Sequence, residues 1–126
     1  MSGLRVLLVE DEALIALHTQ DVLCEAGYEV IGPADRLDEA LSLARSEQFH
    51  AAVLDVNLAG ELVWPVADIL FERGIGFLLL TGFGFRLEIP PSCNGAPRLT
   101  KPLTRDDLLA ALATMAQERA LVFCEN

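Results

Sequence analysis

Lysine is almost missing from this chain: Lys101 is the only one in 126 residues. Lys and Arg together number nine, scattered singly, against nineteen Asp and Glu, for a formal net charge of −10. So negative a surface repels nucleic-acid phosphates and anionic lipid, so neither nucleic acid nor a membrane is expected as a partner. Cysteine is sparse as well. Cys24, Cys93 and Cys124 are odd in number, far apart and without CxxC spacing. They read as reduced thiols of a cytoplasmic protein rather than a disulfide framework. The start, Met1-Ser2-Gly3-Leu4-Arg5, lacks the basic region, apolar run and small-residue site of a signal peptide. No apolar stretch reaches membrane-spanning length. Repeats, low-complexity tracts and interdomain linkers are also missing. One domain over residues 1–126 is therefore expected, with no output domain attached. It is expected as a monomer or a weak dimer: Leu121-Val122-Phe123 reads as tail packing, and as an exposed apolar end it would support the dimer.

What the chain does have is apolar residue in quantity, 52%, enough for a sizeable core. Val6 to Val9 is a continuous Val/Leu run, the pattern of a strand buried on both faces. Ala13 to Ala26 has helical spacing and stops at Gly27. Tyr28 to Gly32 reads as a short strand ended by Gly32-Pro33, and Asp38 to Phe49 as a second helix. Ala51 to Asp55 is a buried strand, followed by a loop at Asn57-Leu58-Ala59-Gly60-Glu61. Val63 to Arg73 is a third helix, opened by Trp64-Pro65 and closed by Gly74. Phe77 to Thr81 is a strand, Arg98 to Thr100 another. A last helix runs from Asp106 to about Leu121 with Thr104 as its N-cap. Residues 82–97 carry three prolines and three glycines and predict a loop, with at most one turn, where a fourth helix would otherwise stand. Alternation of strand and helix predicts an α/β fold: a doubly wound, five-stranded parallel sheet in the flavodoxin-like order 2-1-3-4-5.

Four strand ends carry chemistry. The first runs into Glu10-Asp11, the third into Asp55, the fourth into Thr81 and the fifth into Lys101. The carboxyl ends of an open parallel sheet are where ligand sites form, at the point where the winding reverses. Three carboxylates there repel one another; at about 4 Å and an effective dielectric near 20, each pair costs roughly 4 kcal/mol. A hard divalent cation such as Mg2+ relieves that repulsion and suits a site with few carboxylates and positions left for water and phosphate. Asp55, at the centre, is placed to attack phosphorus and become an aspartyl phosphate. Asp11 and Asp55 would hold Mg2+, with the backbone carbonyl of Asn57 completing the shell and Glu10 reaching it through water. Thr81 would donate to a phosphoryl oxygen and Lys101 pair with another. His18 and His50 lack partners at metal spacing and read as surface or edge residues.

These residues, in this order, resemble the receiver domain of two-component response regulators. The motifs are the acidic pair in Val9-Glu10-Asp11-Glu12, the phosphoacceptor in Val53-Leu54-Asp55-Val56-Asn57, the Thr in Leu80-Thr81-Gly82, and Lys101-Pro102. The resemblance spans the whole chain. It implies a CheY-like phosphoprotein of a phosphorelay, phosphorylated on Asp55 by a histidine kinase or a histidine phosphotransfer protein. It further implies Mg2+ dependence, slow self-dephosphorylation and no other enzymatic turnover, signalling to an unknown downstream protein, and a peptide bond before Pro102 that is commonly cis in the family. One position departs from the pattern. Three residues before the Lys, most receivers carry Tyr or Phe as a switch; here stands Arg98. Phe77-Leu78-Leu79-Leu80-Thr81-Gly82-Phe83 resembles an atypical subfamily with a Phe-Ala-Thr-Gly-aromatic motif and no switch aromatic. On that reading the switch is the loop Gly82 to Pro97, which would present Phe83 or Phe85 to a partner. Two alternatives fit less well. A small aspartyl-phosphate phosphatase would place Asp-x-Asp after the first strand and carry a cap domain. A flavodoxin would need a hydroxyl- or glycine-rich phosphate loop where Glu10-Asp11-Glu12 stands.

Overall fold

The computed structural model describes residues 4–82, 90–93, 95–101 and 104–125, with side chains described up to Met115, Ser92 excepted. Strand β1 (Arg5–Val9) leads into helix α1 (Ala13–Glu25), then β2 (Glu29–Ala34), α2 (Leu37–Ser46) and β3 (Ala51–Asp55). A short pair, β4 (Asn57–Leu58) and β5 (Glu61–Leu62), precedes α3 (Trp64–Arg73). Then come β6 (Gly76–Thr81), a single 3-10 turn at Pro91–Cys93, β7 (Arg98–Thr100) and α4 (Arg105–Glu125). The main sheet has the order β2-β1-β3-β6-β7 with every pairing parallel, which is the predicted flavodoxin-like topology.

Successive strand side chains point to opposite faces, so each continuous apolar run feeds two cores. Leu7, Val9, Ala52, Leu54, Phe77 and Leu79 face α2 and α3, where they meet Ala40, Ala44, Val66, Ala67 and Leu70. Val6, Leu8, Val53, Leu78 and Leu80 face α1 and α4, against Val22, Leu23, Leu108, Leu112 and Met115. On α2 the fully buried residues are the small Ala40 and Ala44. No helix of the described residues is long and apolar enough to cross a membrane.

Several boundaries differ from the sequence reading. Strand β2 does not stop at Gly32-Pro33 but passes through that cis peptide to Ala34. It is an edge strand, where a proline deprives no neighbour of a hydrogen bond, and the ladder to β1 slips register there. Helix α2 ends at Ser46, not Phe49: Glu47 is extended, and Phe49 turns into the core beneath the Arg73 guanidinium, 5.2 Å from its ring centroid. The segment after Asp55 is a β-hairpin rather than a plain loop. Gly74 ends α3 in the left-handed conformation. At α4, Thr104 Oγ1 accepts a hydrogen bond from the Asp107 N–H (3.0 Å), the predicted cap, and the helix runs on to Glu125. Between β6 and β7 the described residues hold no α-helix, only the 3-10 turn with Cys93 buried against α3. The bulk of the loop predicted as a switch, with Phe83 and Phe85, the Lys101–Pro102 peptide and the side chains of Leu121-Val122-Phe123 lie outside the described residues.

Candidate functional site

All the predicted site residues except Asn57 stand at the carboxyl edge of β1, β3, β6 and β7, as parallel topology requires. Glu10 and Asp11 follow β1; the Glu10 N–H donates to the Ala34 carbonyl (2.9 Å), which fixes the turn out of the sheet. Asp55 ends β3, and Thr81 on β6 lies one residue beyond Asp55's neighbour Leu80. The Lys101 N–H donates to the Thr81 carbonyl (2.8 Å), so the end of β7 is tied to the end of β6. Glu10, Asp11 and Asp55 each offer a carboxylate oxygen within 4.8 Å of the others. Glu10 and Asp55 are buried, at 1% and 5% exposure, although both are acids.

Lys101 holds this group together. Its Nζ lies 3.0 Å from Asp55 Oδ2, 3.1 Å from Glu10 and 3.4 Å from the exposed Glu12 Oε1. The ammonium is equally near both Glu10 oxygens but donates only to Oε2, so buried Oε1 has an ion-pair contact and no hydrogen bond. Burial and the adjoining Glu10 push the Asp55 carboxyl up to about 7, against the pull of Lys101. Burial would also raise Asp11, yet hydrogen bonding to Asp55 and to the Ala59 N–H leaves it below its ordinary value. Burial disfavours the Lys101 charge, but the Asp55 and Glu10 carboxylates outweigh it and raise the amine above its ordinary value.

Asn57 begins β4, and its N–H donates to Asp55 Oδ1 (3.2 Å). The Val63 N–H donates to the Val56 carbonyl, which makes the next pair, Asn57 and Leu62, a non-bonded pair of the hairpin. Two contacts escaped the sequence reading. Glu12 joins Lys101, and the Ala59 N–H donates to Asp11 Oδ2 (2.9 Å). The Ala59-Gly60 pair between Leu58 and Glu61 was the available signal for the second. His18 is exposed on α1, and His50 Nδ1 accepts from the Arg5 N–H (3.0 Å); both stand apart from the site.

The donor set is all oxygen and the charge is in excess, with one buried carboxylate oxygen lacking a hydrogen bond. Such a set fits a hard divalent cation of the Mg2+ type. Beside it opens a cleft of about 570 Å³ between the start of α1 and the β2–α2 connection, lined by Glu10, Asp11, Leu17, Gln20, Asp35 and Glu39.

No protein-family model matches the chain. Solved structures and curated proteins do. The solution structure of SdrG from Sphingomonas melonis Fr1 is 38% identical, covers 92% of this chain and 99% of its own, and superposes with a TM-score of 0.79. A CheY-like response regulator receiver domain protein from Methanospirillum hungatei JF-1, 21% identical, covers 92% and 97% with a TM-score of 0.77 and shows the same fold. The transcriptional regulatory protein PdtaR of Mycobacterium tuberculosis is 32% identical over 111 residues, 86% of this chain. That alignment covers 54% of PdtaR, so the chain spans about half the length of this relative. The fold, the acidic site and these relatives define a receiver domain. The chain belongs to the CheY-like response regulator receiver domains of two-component signalling.

Proposed function

We propose that the chain accepts a phosphoryl group on Asp55 from a histidine kinase or a histidine phosphotransfer protein and signals through protein contact. The observation that carries this reading is the placing of Asp55: a buried carboxylate between two other acids, with the only lysine of the chain 3.0 Å away. An Asp55 oxygen attacks phosphorus, the new O–P bond forms as the donor's N–P bond breaks, and the departing imidazole takes up a proton. Mg2+, when bound, would supply positive charge against the phosphoryl oxygens. Asp11, Asp55 and the Asn57 carbonyl would hold it, with Glu10 behind them. Lys101, freed from Asp55 Oδ2, pairs with one phosphoryl oxygen, and the Thr81 hydroxyl donates to another. The cleft beside α1 gives the donor its approach, and exposed Leu14 and Leu17 on α1 offer apolar contact next to it. Chemistry on free substrates is confined to slow acceptance from small phosphodonors and slow self-dephosphorylation.

Arg98, exposed on β7, stands where a switch aromatic would be buried, in keeping with the atypical subfamily of the Phe-Ala-Thr-Gly-aromatic motif. A buried guanidinium without partners would be costly, so activation runs without an aromatic side chain moving inward there. Incubation with acetyl phosphate and Mg2+ tests the assignment. One phosphoryl group should appear by mass spectrometry in the wild type and none in Asp55→Ala; a phosphorylated Asp55→Ala protein would overturn it.

A further inference from the structure

The hairpin that follows Asp55 touches the site at two points. Its first residue, Asn57, donates to Asp55 Oδ1 (3.2 Å), and its tip residue, Ala59, donates to Asp11 Oδ2 (2.9 Å). It thereby bridges the ends of β3 and β1. The turn is built for this. Ala59 and Gly60 both have positive φ, 50° and 94°, the requirement of the two-residue turn whose twist matches a hairpin. The Gly60 N–H donates to Asn57 Oδ1 (2.8 Å), Leu58 is buried in the core, and the Val63 N–H closes the base on the Val56 carbonyl (2.9 Å). Leu58 and the closed base fix the hairpin, so the direction of the Ala59 N–H is fixed too.

An aspartate carboxylate turns easily about its terminal torsion, whose wells are broad. A hydrogen bond from a fixed backbone donor to Oδ2 selects one rotation and holds Oδ1 in one direction. Outer partners of this kind orient metal-ligating side chains, and their loss weakens metal binding 10–100-fold. We propose that the Ala59 amide is a positioning group that orients Asp11 toward a divalent cation, so that the order of the hairpin and the affinity for the cation are coupled. The inference rests on the reading of Glu10, Asp11 and Asp55 as an Mg2+ site.

The test separates the two. Replacing the Ala59 amide by an ester, through ligation of two segments, removes the donor and keeps the chain path. Gly60→Val reaches the same contact by another route: a Cβ at Gly60 meets nothing within 4 Å, and the positive φ strains a β-branched residue there. Gly60→Asn tolerates that φ and serves as the conservative control. In the metal-free protein, hydrogen exchange at Ala59 should be slow, and faster in Asp11→Ala. Calorimetric Mg2+ titration should give roughly tenfold weaker binding for the ester and Gly60→Val proteins and a change within twofold for Gly60→Asn. Wild-type affinity in a folded ester protein, or in Gly60→Val with Ala59 exchanging fast, would overturn the positioning role and leave the Mg2+ site standing. A wild type that binds no Mg2+ would remove both.

Discussion

Asp55 carries an electrostatic cost that the fold accepts. Its carboxyl is pushed up to about 7 by burial and by Glu10, well above its value in an unfolded chain. A group that binds its proton more tightly when folded stabilises the fold below its unfolded pKa and loses that contribution as pH rises through its folded pKa. Without divalent cation, the folded state should therefore lose stability between about pH 4 and pH 7. At pH 8, Asp55→Asn should stabilise the metal-free protein by about 2 kcal/mol, since it removes one charge from a crowded acidic group. Urea unfolding of both proteins at pH 5 and pH 8 checks this; equal stability at pH 8 would show that Lys101 already neutralises Asp55. These residues were legible together rather than one by one: an acidic pair or a single Asp at the end of an apolar run is often only solvated, whereas a Glu-Asp, an Asp, a Thr and a lone Lys at four strand ends of one parallel sheet point to a common site. Glu12 was not legible: as an exposed acid at a helix start it looked like any solvated residue until Lys101 arrived beside it.

At the scale of elements, the helices and buried strands were readable from apolar period, and several of their ends were not. Phe49 fits the helical pattern of α2 yet leaves the helix, because burial beneath Arg73 outweighs one more turn. Pro33 reads as a stop, but on an edge strand it costs no ladder bond. The hairpin at residues 57–62 is too short to leave a period, and its cue was a single Ala-Gly pair. Thr104 shows the opposite, a boundary set by one side chain. Its hydroxyl satisfies the Asp107 N–H at the start of α4, and Asp106 and Asp107 favour the positive end of the helix. Thr104→Ala should destabilise the domain by about 1 kcal/mol, with Gly restoring most of it. Chemical denaturation measures this, and a change below a few tenths would mean that packing of Leu108, Leu112 and Met115 alone holds the first turns.

For the whole molecule, the formal charge of −10 is spread along the chain, and at the site three carboxylates share one ammonium. A cation that binds only the folded form stabilises it by mass action, by about 1.4 kcal/mol at ten times its Kd. For a domain of this size that is roughly a 5 °C rise in Tm. Thermal unfolding with and without millimolar Mg2+ should show the rise in the wild type and little of it in Asp11→Asn. An equal rise in Asp11→Asn would place the cation elsewhere on the acidic surface.

The sequence by itself determined the alternation of strand and helix, the parallel sheet and the residues at its carboxyl edge, since these depend on local period and on which residues end each run. Only the tertiary structure decided how those residues meet. That Lys101 bridges Glu10, Glu12 and Asp55, that Glu10 is sealed from water, and that the Ala59 amide donates to Asp11 all depend on strands far apart in the chain lying side by side. Distances of a few ångströms between such groups are set by packing and register, and a pattern of residue types does not carry them.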